Sequence, residues 1–235
     1  MTDSPTDQTA SLSPSHDGPS ADPQPDHDLR AAELVVRTIS EEAIAQEKYF
    51  GDLDSVVGDG DFGYSLARGF EFVLAEWDDI DRADAGAFLS KVATMITGHI
   101  GGTSGPLWGT AFLRAGTRLK GQSDLGTADV VDALRGAIEG IKKRGKSDVG
   151  DKTLLDALVP AVDALEASFA SGDDTRTALA AMATTARSSA EATSTLEARR
   201  GRASYSGERS IGSVDAGAVG VAVLIEKVAS IWPAP

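Results

Sequence analysis

Asp54, Asp59 and Asp61 are the side chains in this sequence best spaced to do chemistry together. They stand at i, i+5 and i+7 in the stretch LDSVVGDGDFG, punctuated by Gly58, Gly60 and Gly63. Glycine lets such a loop turn tightly enough for its side chains to converge. Converging carboxylates repel one another unless a cation neutralises them. Mg²⁺ takes oxygen ligands, and commonly combines one or two carboxylates with phosphate oxygens. One chemical reading is therefore a seat for one or two Mg²⁺ held against a polyphosphate; a solvated acidic turn is the other. An EF-hand does not fit, because the twelfth loop position counted from Asp59 is Phe70 where that loop needs a bidentate Glu.

Three further stretches differ from ordinary connectors. Gly101 to Gly109 reads GGTSGPLWG, with Pro106 suited to the first turn of a helix. Glycine-rich chain opening a helix presents backbone N–H groups and the positive end of the helix dipole, which together cradle phosphate. Thr103 and Ser104 add hydroxyls, although Ser104 also suits a plain N-cap, and no P-loop pattern occurs. The stretch GRASYSGERSIGSVDAG, from Gly201 to Gly217, is a long polar loop carrying Arg202 and Arg209, cations suited to phosphate oxygens. Glu208 next to Arg209 equally permits a local ion pair, and a purely structural loop remains open. The stretch from Gly145 to Asp156 holds GDKTLLD; Asp151 or Thr153 can cap the next helix, or Leu154 can face a nucleotide base. The only histidines are His16, His27 and His99, too few for a His-ligated zinc site or a Ser-His-Asp triad. His99 near the Gly101 loop reads first as a helix C-terminal cap and second as a site residue.

These loops need helices to position them. Apolar residues recur at helical spacing in eight segments, including Leu34/Val35/Ile39/Ala43, Phe70/Val73/Leu74, Phe88/Leu89/Val92/Ile96, Leu107/Ala111/Leu119, Val130/Val131/Leu134/Ile138/Ile141 and Leu155/Leu158/Val162/Leu165/Phe169. An Ala-rich stretch near 175–198 and the run 216–231 complete them. Sustained alternation at period two is absent, so the expected class is all-α. Trp77, Trp108 and Trp232 read as packing anchors.

The 235 residues allow one domain with a substantial core. Residues 1–28 contain six Asp, five of the nine Pro and no Lys or Arg. That composition buries little, so 1–28 reads as a disordered acidic tail ahead of a 29–235 helical domain. The net charge of −14 argues against nucleic acid and anionic lipid as partners. No apolar run is long enough to span a bilayer, and no cysteine is present. A cytoplasmic protein is the simplest expectation.

Taken in order, LDSVVGDGDFG, GGTSGPLWGT, GDKTLLDAL and GRASYSGERSIG followed by DAG resemble the nucleotide-binding L subunit of dihydroxyacetone kinases, the DhaL or DAK2 family, across essentially all of 29–231. The resemblance implies an antiparallel eight-helix barrel with the nucleotide in the loops at one end. It implies two Mg²⁺ on Asp54, Asp59 and Asp61, and nucleotide or phosphate contacts from Phe62, Gly63 and Ser65. Thr103 and Ser104 would line the phosphates and Gly145 and Leu154 the base, while Arg202 with Asp215, Ala216 and Gly217 would close the pocket. This chain has Phe62 where the family usually has His, Ser65 where it usually has Asn, and DAG in place of DPG.

The implied activity is phosphoryl transfer from ADP/ATP chemistry to a small ketose such as dihydroxyacetone, which the family holds on a separate K subunit. Phosphate would arrive as ATP or from a phosphohistidine carrier protein that recharges bound ADP. A non-catalytic ADP-binding regulatory subunit is the alternative, favoured by Phe62, and a simple divalent-cation-binding helical domain is a third reading. The oligomeric state is open, a homodimer included.

Overall fold

The computed structural model describes Met1 and residues 27–233, and among these every regular element is helical. The helices are α1 (His27–Ala45), α2 (Glu47–Asp54), α3 (Phe62–Ala75), α4 (Ala85–His99), α5 (Ser104–Leu119), α6 (Thr127–Gly145), α7 (Leu155–Ala170), α8 (Thr175–Ala192) and α9 (Ala216–Ile231). From α3 to α9 each helix packs on the next in sequence; α9 then packs on α1, and α1 on α3. The result is the expected ring of eight helices. Short connections make consecutive members antiparallel, so the loops after α2, α4, α6 and α8 gather at one end.

The core follows from the apolar stripes. Leu66, Phe70 and Val73 of α3 and Phe88, Val92 and Ile96 of α4 are fully buried, together with Val36 of α1 and Phe50 of α2. On the other side of the ring Leu155, Ala161, Val162 and Leu165 of α7 meet Ala178, Ala186 and Ala190 of α8 and Ala218 and Ala222 of α9. Alanine at these crossings lets the helix axes approach while still removing apolar surface from water. Asp84, Asp174 and Asp215 cap α4, α8 and α9, each accepting a backbone N–H at 2.7 Å.

Four details differ from the sequence reading. A ninth, eight-residue helix, α2, continues α1 after a break at Gln46. Val130, expected on the inner face of α6, is 40% exposed, and the inward stripe is Val131, Ile138 and Ile141. The Ala-rich helix ends at Ala192 and passes through a 3-10 turn at Thr193–Thr195. His27 and Asp28, assigned to the tail, open α1, and Asp28 accepts the Leu125 N–H at 2.9 Å across the fold. The rest of the expected disordered tail, apart from Met1, lies outside the described residues. No helix among the described residues is long and apolar enough to cross a membrane.

Candidate active site

Helix α2 ends on Asp54, and the chain then makes a seven-residue turn into α3. Asp54 organises that turn: its Oδ2 accepts the N–H of Gly60 at 2.8 Å and that of Phe62 at 3.4 Å. Gly58 packs so tightly that a Cβ there would fall 2.2 Å from Asp54 Oδ1, and Gly60 has φ +76°, a conformation glycine adopts without strain. The turn brings carboxylate oxygens of Asp54, Asp59 and Asp61 within 4.8 Å of one another. Asp61 sits at the N-cap of α3 but makes no side-chain cap bond, so its carboxylate is not committed to the helix. Burial, followed by the neighbouring Asp59, pushes the Asp61 carboxyl above its ordinary range, and Arg202 opposes the shift. Arg202 Nε lies 2.8 Å from Asp59 Oδ2, and its second amino nitrogen 4.0 Å from Asp61 Oδ2.

The trio forms one wall of a cavity of about 500 Å³, a volume typical of small-molecule sites. Gly101, Gly102, Thr103 and Ser104 at the start of α5 also line it, as do Gly145 and Leu154, and Arg202, Asp215, Ala216 and Gly217 complete it. Thr103, like Asp61, is an N-cap without a side-chain cap bond, which leaves its hydroxyl for a ligand. The ring topology adds something that no single motif carries. Residues at the N-termini of α3 (Asp61, Phe62), α5 (Thr103, Ser104), α7 (Leu154) and α9 (Asp215, Ala216) all line this cavity. Each such terminus carries roughly half a positive charge. The convergence builds an anion-attracting end in a chain of net charge −14. A flatter hollow of about 640 Å³ beside α2 faces solvent. Its Lys48 and Asp52 pair with each other at 2.5 Å.

Of the residues expected at the ligand, Gly63 and Ser65 do not line the cavity and Phe62 borders it. Gly63 is buried where α3 crosses α2, and a Cβ on it would lie 1.9 Å from the Glu47 carbonyl oxygen. Its role in the structure is close helix packing. Ser65 lies beside Gly101, 3.5 Å from where a Cβ on that glycine would stand, but it does not line the cavity. Phe62 borders the cavity, yet its ring is 8% exposed and packs on Phe50, with centroids 5.8 Å apart, and over Gly220 of α9. His99 stacks on Phe72 at 3.4 Å and hydrogen-bonds the Met95 carbonyl through Nδ1 at 2.9 Å, the C-terminal capping role. Sequence reasoning also passed over Arg144, Arg200 and Lys152, which line the cavity. Arg144 ends α6, where a cation reads as a dipole complement. Lys152 was hidden because its partners are backbone carbonyls far along the chain.

Asp215 is the most perturbed carboxyl. Burial pushes it up to about 7; Asp156 and Asp54 add to the shift, while the Ala218 N–H and Lys152 oppose it. A raised folded pKa means that the native state binds a proton the unfolded chain releases near 3.8. The associated stability is complete below that value, declines as pH rises, and is gone once pH passes about 7. Asp215→Asn keeps a good N-cap but cannot titrate. Thermal unfolding of ligand-free protein between pH 5 and 8 should therefore show the wild type losing ground to Asp215→Asn as pH rises. Parallel curves would refute the protonated Asp215.

The chain is similar to known proteins in sequence and in fold. A DAK2 domain model matches residues 56–230. The ADP-binding subunit DhaL of the PEP-dependent dihydroxyacetone kinase of Escherichia coli is 37% identical over 184 residues, covering 78% of this chain and 88% of that subunit. The corresponding subunit of the PTS-dependent enzyme of Lactococcus lactis is 33% identical over 191 residues, covering 81% and 91%. The crystal structure of the dihydroxyacetone kinase of C. freundii superimposes with TM-score 0.69 at 25% identity, over 96% of this chain and 39% of that longer one. The chain thus spans about two fifths of the solved kinase and most of the DhaL subunits. With its ring of helices and its four ordered loops, this chain belongs to the DAK2 family, alongside the DhaL subunits of dihydroxyacetone kinases.

Proposed function

We propose that this chain is the nucleotide-binding, Mg²⁺-dependent subunit of a ketose kinase of the dihydroxyacetone type, acting with a K-type subunit that holds the ketose. The observation that carries this reading is a cavity lined both by three convergent carboxylates and by the N-termini of four helices. The carboxylates and the N-termini are electrostatic opposites. Only a ligand that joins metal cations to an anionic chain satisfies both, and a magnesium-bound nucleoside diphosphate or triphosphate does so.

The residues present suit Mg²⁺: Asp54, Asp59 and Asp61 offer hard oxygen ligands only. Two ions, the number the family resemblance implies, would be held by this trio. When bound, the ions supply charge neutralisation at the phosphate oxygens, the main requirement of phosphoryl transfer. The chain's own groups do the rest. The backbone N–H groups of Gly102 to Ser104 and the Thr103 hydroxyl orient the phosphates, Arg202 adds a cation on the open side, and Leu154 with Gly145 receives the base. Phosphate reaches this site as ATP or from a phosphocarrier protein that recharges bound ADP. The PEP and PTS dependence in the names of the DhaL relatives favours the carrier route.

Titration of the purified protein with ADP should give strong heat with Mg²⁺ present and little without it. Heat from Mg²⁺ alone, with none from Mg·ADP, would leave only a cation-binding helical domain. A second reading, an ADP-binding regulatory subunit, draws on Phe62, whose ring packs in the core and offers no hydrogen-bond donor to phosphate. Mixing the chain with a K-type subunit, dihydroxyacetone and either Mg·ATP or a charged phosphocarrier separates the two. Turnover supports the kinase; tight binding without turnover in both mixtures supports the regulator.

A further inference from the structure

Lys152 is 1% exposed, and its ammonium is fully engaged with backbone carbonyls. Nζ donates to Leu196 O at 3.0 Å, to Ser213 O at 2.7 Å and to Ser210 O. The acceptors belong to the two stems of one segment, the polar loop between α8 and α9 whose 3-10 turns span Arg202–Ser210. Two other bonds tie the same stems together: Ala198 N–H to Ser210 Oγ at 2.8 Å and Gly212 N–H to Ser194 O at 2.8 Å. Just beyond this neck the loop is tied to Asp151 by the Arg199 N–H at 3.0 Å and by Arg200 at 3.4 Å, and its tip makes fewer contacts. Tyr205 is 89% exposed, and the contacts of the tip with the Asp54 turn are the Arg202 pairs and a 3.4 Å bond from Ser206 Oγ to Val57 O. Lys152 itself has φ +60°, a backbone region that glycine would occupy at lower cost. Its side chain offsets that cost with three hydrogen bonds from a charged donor.

We propose that Lys152 is a positioning residue for Arg202: its ammonium clasps the neck of the 196–213 loop and thereby sets the reach of the Arg202 guanidinium over the aspartate trio. The inference rests on the nucleotide reading above. Lys152 stands in the middle of the Gly150-to-Leu154 turn that leads into α7, and Lys152, Thr153 and Leu154 line the same cavity. The clasp therefore ties the loop that bears Arg202 to the turn that bears Leu154, beside the bonds of Arg199 and Arg200 to Asp151. Although Lys152 lines the cavity, its ammonium donates to three carbonyls of the neck, which separates holding the loop from binding the phosphates.

The test is a double-mutant cycle on Mg·ADP affinity with Lys152→Met and Arg202→Ala, read beside tryptic cleavage of the loop. If Lys152 acts through Arg202, Lys152→Met weakens binding about tenfold in the otherwise wild-type chain and less than about twofold once Arg202 is already alanine. Equal losses in both backgrounds would overturn the proposal, because a general loss of stability does not depend on Arg202. Trypsin should cut faster in Lys152→Met after Arg199, Arg200, Arg202 and Arg209, while the helical circular dichroism stays that of the wild type. Unchanged cleavage there would show that the neck does not depend on the ammonium and would overturn the clasp, with or without ligand. A wild-type protein that takes up no Mg·ADP would overturn the nucleotide reading and the positioning role together.

Discussion

Asp59→Ala is expected to abolish Mg·ADP binding while leaving the helical ring intact. Loss of a neighbour that merely orients a metal ligand typically weakens metal binding by about 10–100-fold, so removing a ligand itself should cost roughly a hundredfold or more. The fold should barely register the change. Asp59 lies in the turn between α2 and α3, and its ion pair to Arg202 joins side chains that are 36% and 61% exposed; such surface pairs contribute about 0–1 kcal/mol. Against that small loss stands relief of repulsion at Asp61, whose carboxyl Asp59 helps to push upward. The two effects have opposite signs, so the ligand-free Tm should stay within about 2 °C of the wild type. Calorimetry with Mg·ADP and thermal unfolding of the ligand-free protein measure the two quantities separately. Retained affinity would remove Asp59 from the metal seat, and with it the argument that the trio acts as a unit.

What the sequence revealed of this arrangement, and what it hid, follows from the range of the interactions involved. The ring helices announce themselves through apolar residues three and four apart, a pattern that α3, α4 and α7 carry almost without interruption. Helix α2 escaped because its eight residues, EKYFGDLD, hold only two aliphatic or aromatic residues that pack inward, Phe50 and Leu53, and it runs straight into the acidic turn. The cluster of Asp54, Asp59 and Asp61 was legible because all three lie within one short stretch of chain and the glycines between them need no distant partner. The convergence of helix N-termini was not, because it arises only when an antiparallel ring closes and gathers alternate ends. Lys152 is the extreme case: its acceptors are carbonyl oxygens 44, 58 and 61 residues away, and a backbone carbonyl leaves no mark on the sequence. Phe62 shows the reverse: its place in the motif puts it at the border of the cavity, while packing that the motif does not reveal turns its ring onto Phe50 and over Gly220 of α9.

Gly63 separates helix packing from ligand contact most sharply. Its place in the motif assigns it to the nucleotide, whereas its surroundings assign it to the crossing of α3 over α2. A Cβ at this position would lie 1.9 Å from Glu47 O and 2.6 Å from Gly51 N, both backbone atoms of α2. No side-chain rotation relieves such a contact; the helix itself must move. Overpacking of this kind costs about 1–3 kcal/mol and occasionally more, and a backbone obstacle puts Gly63→Ala at the upper end, roughly 3 kcal/mol. For a chain of this size that lowers Tm by about 6–12 °C. Helix α2 ends on Asp54, so a displaced α2 also carries that carboxylate away from Asp59 and Asp61, and Mg·ADP affinity should fall with the Tm. Gly98 in α4 provides the control, since a Cβ there meets nothing within 4 Å. Gly98→Ala should leave affinity unchanged and stabilise the helix by about 0.5–1 kcal/mol. A Gly63→Ala protein that unfolds at the wild-type temperature but binds Mg·ADP poorly would mean that α2 had not moved, and would put the glycine back against the ligand.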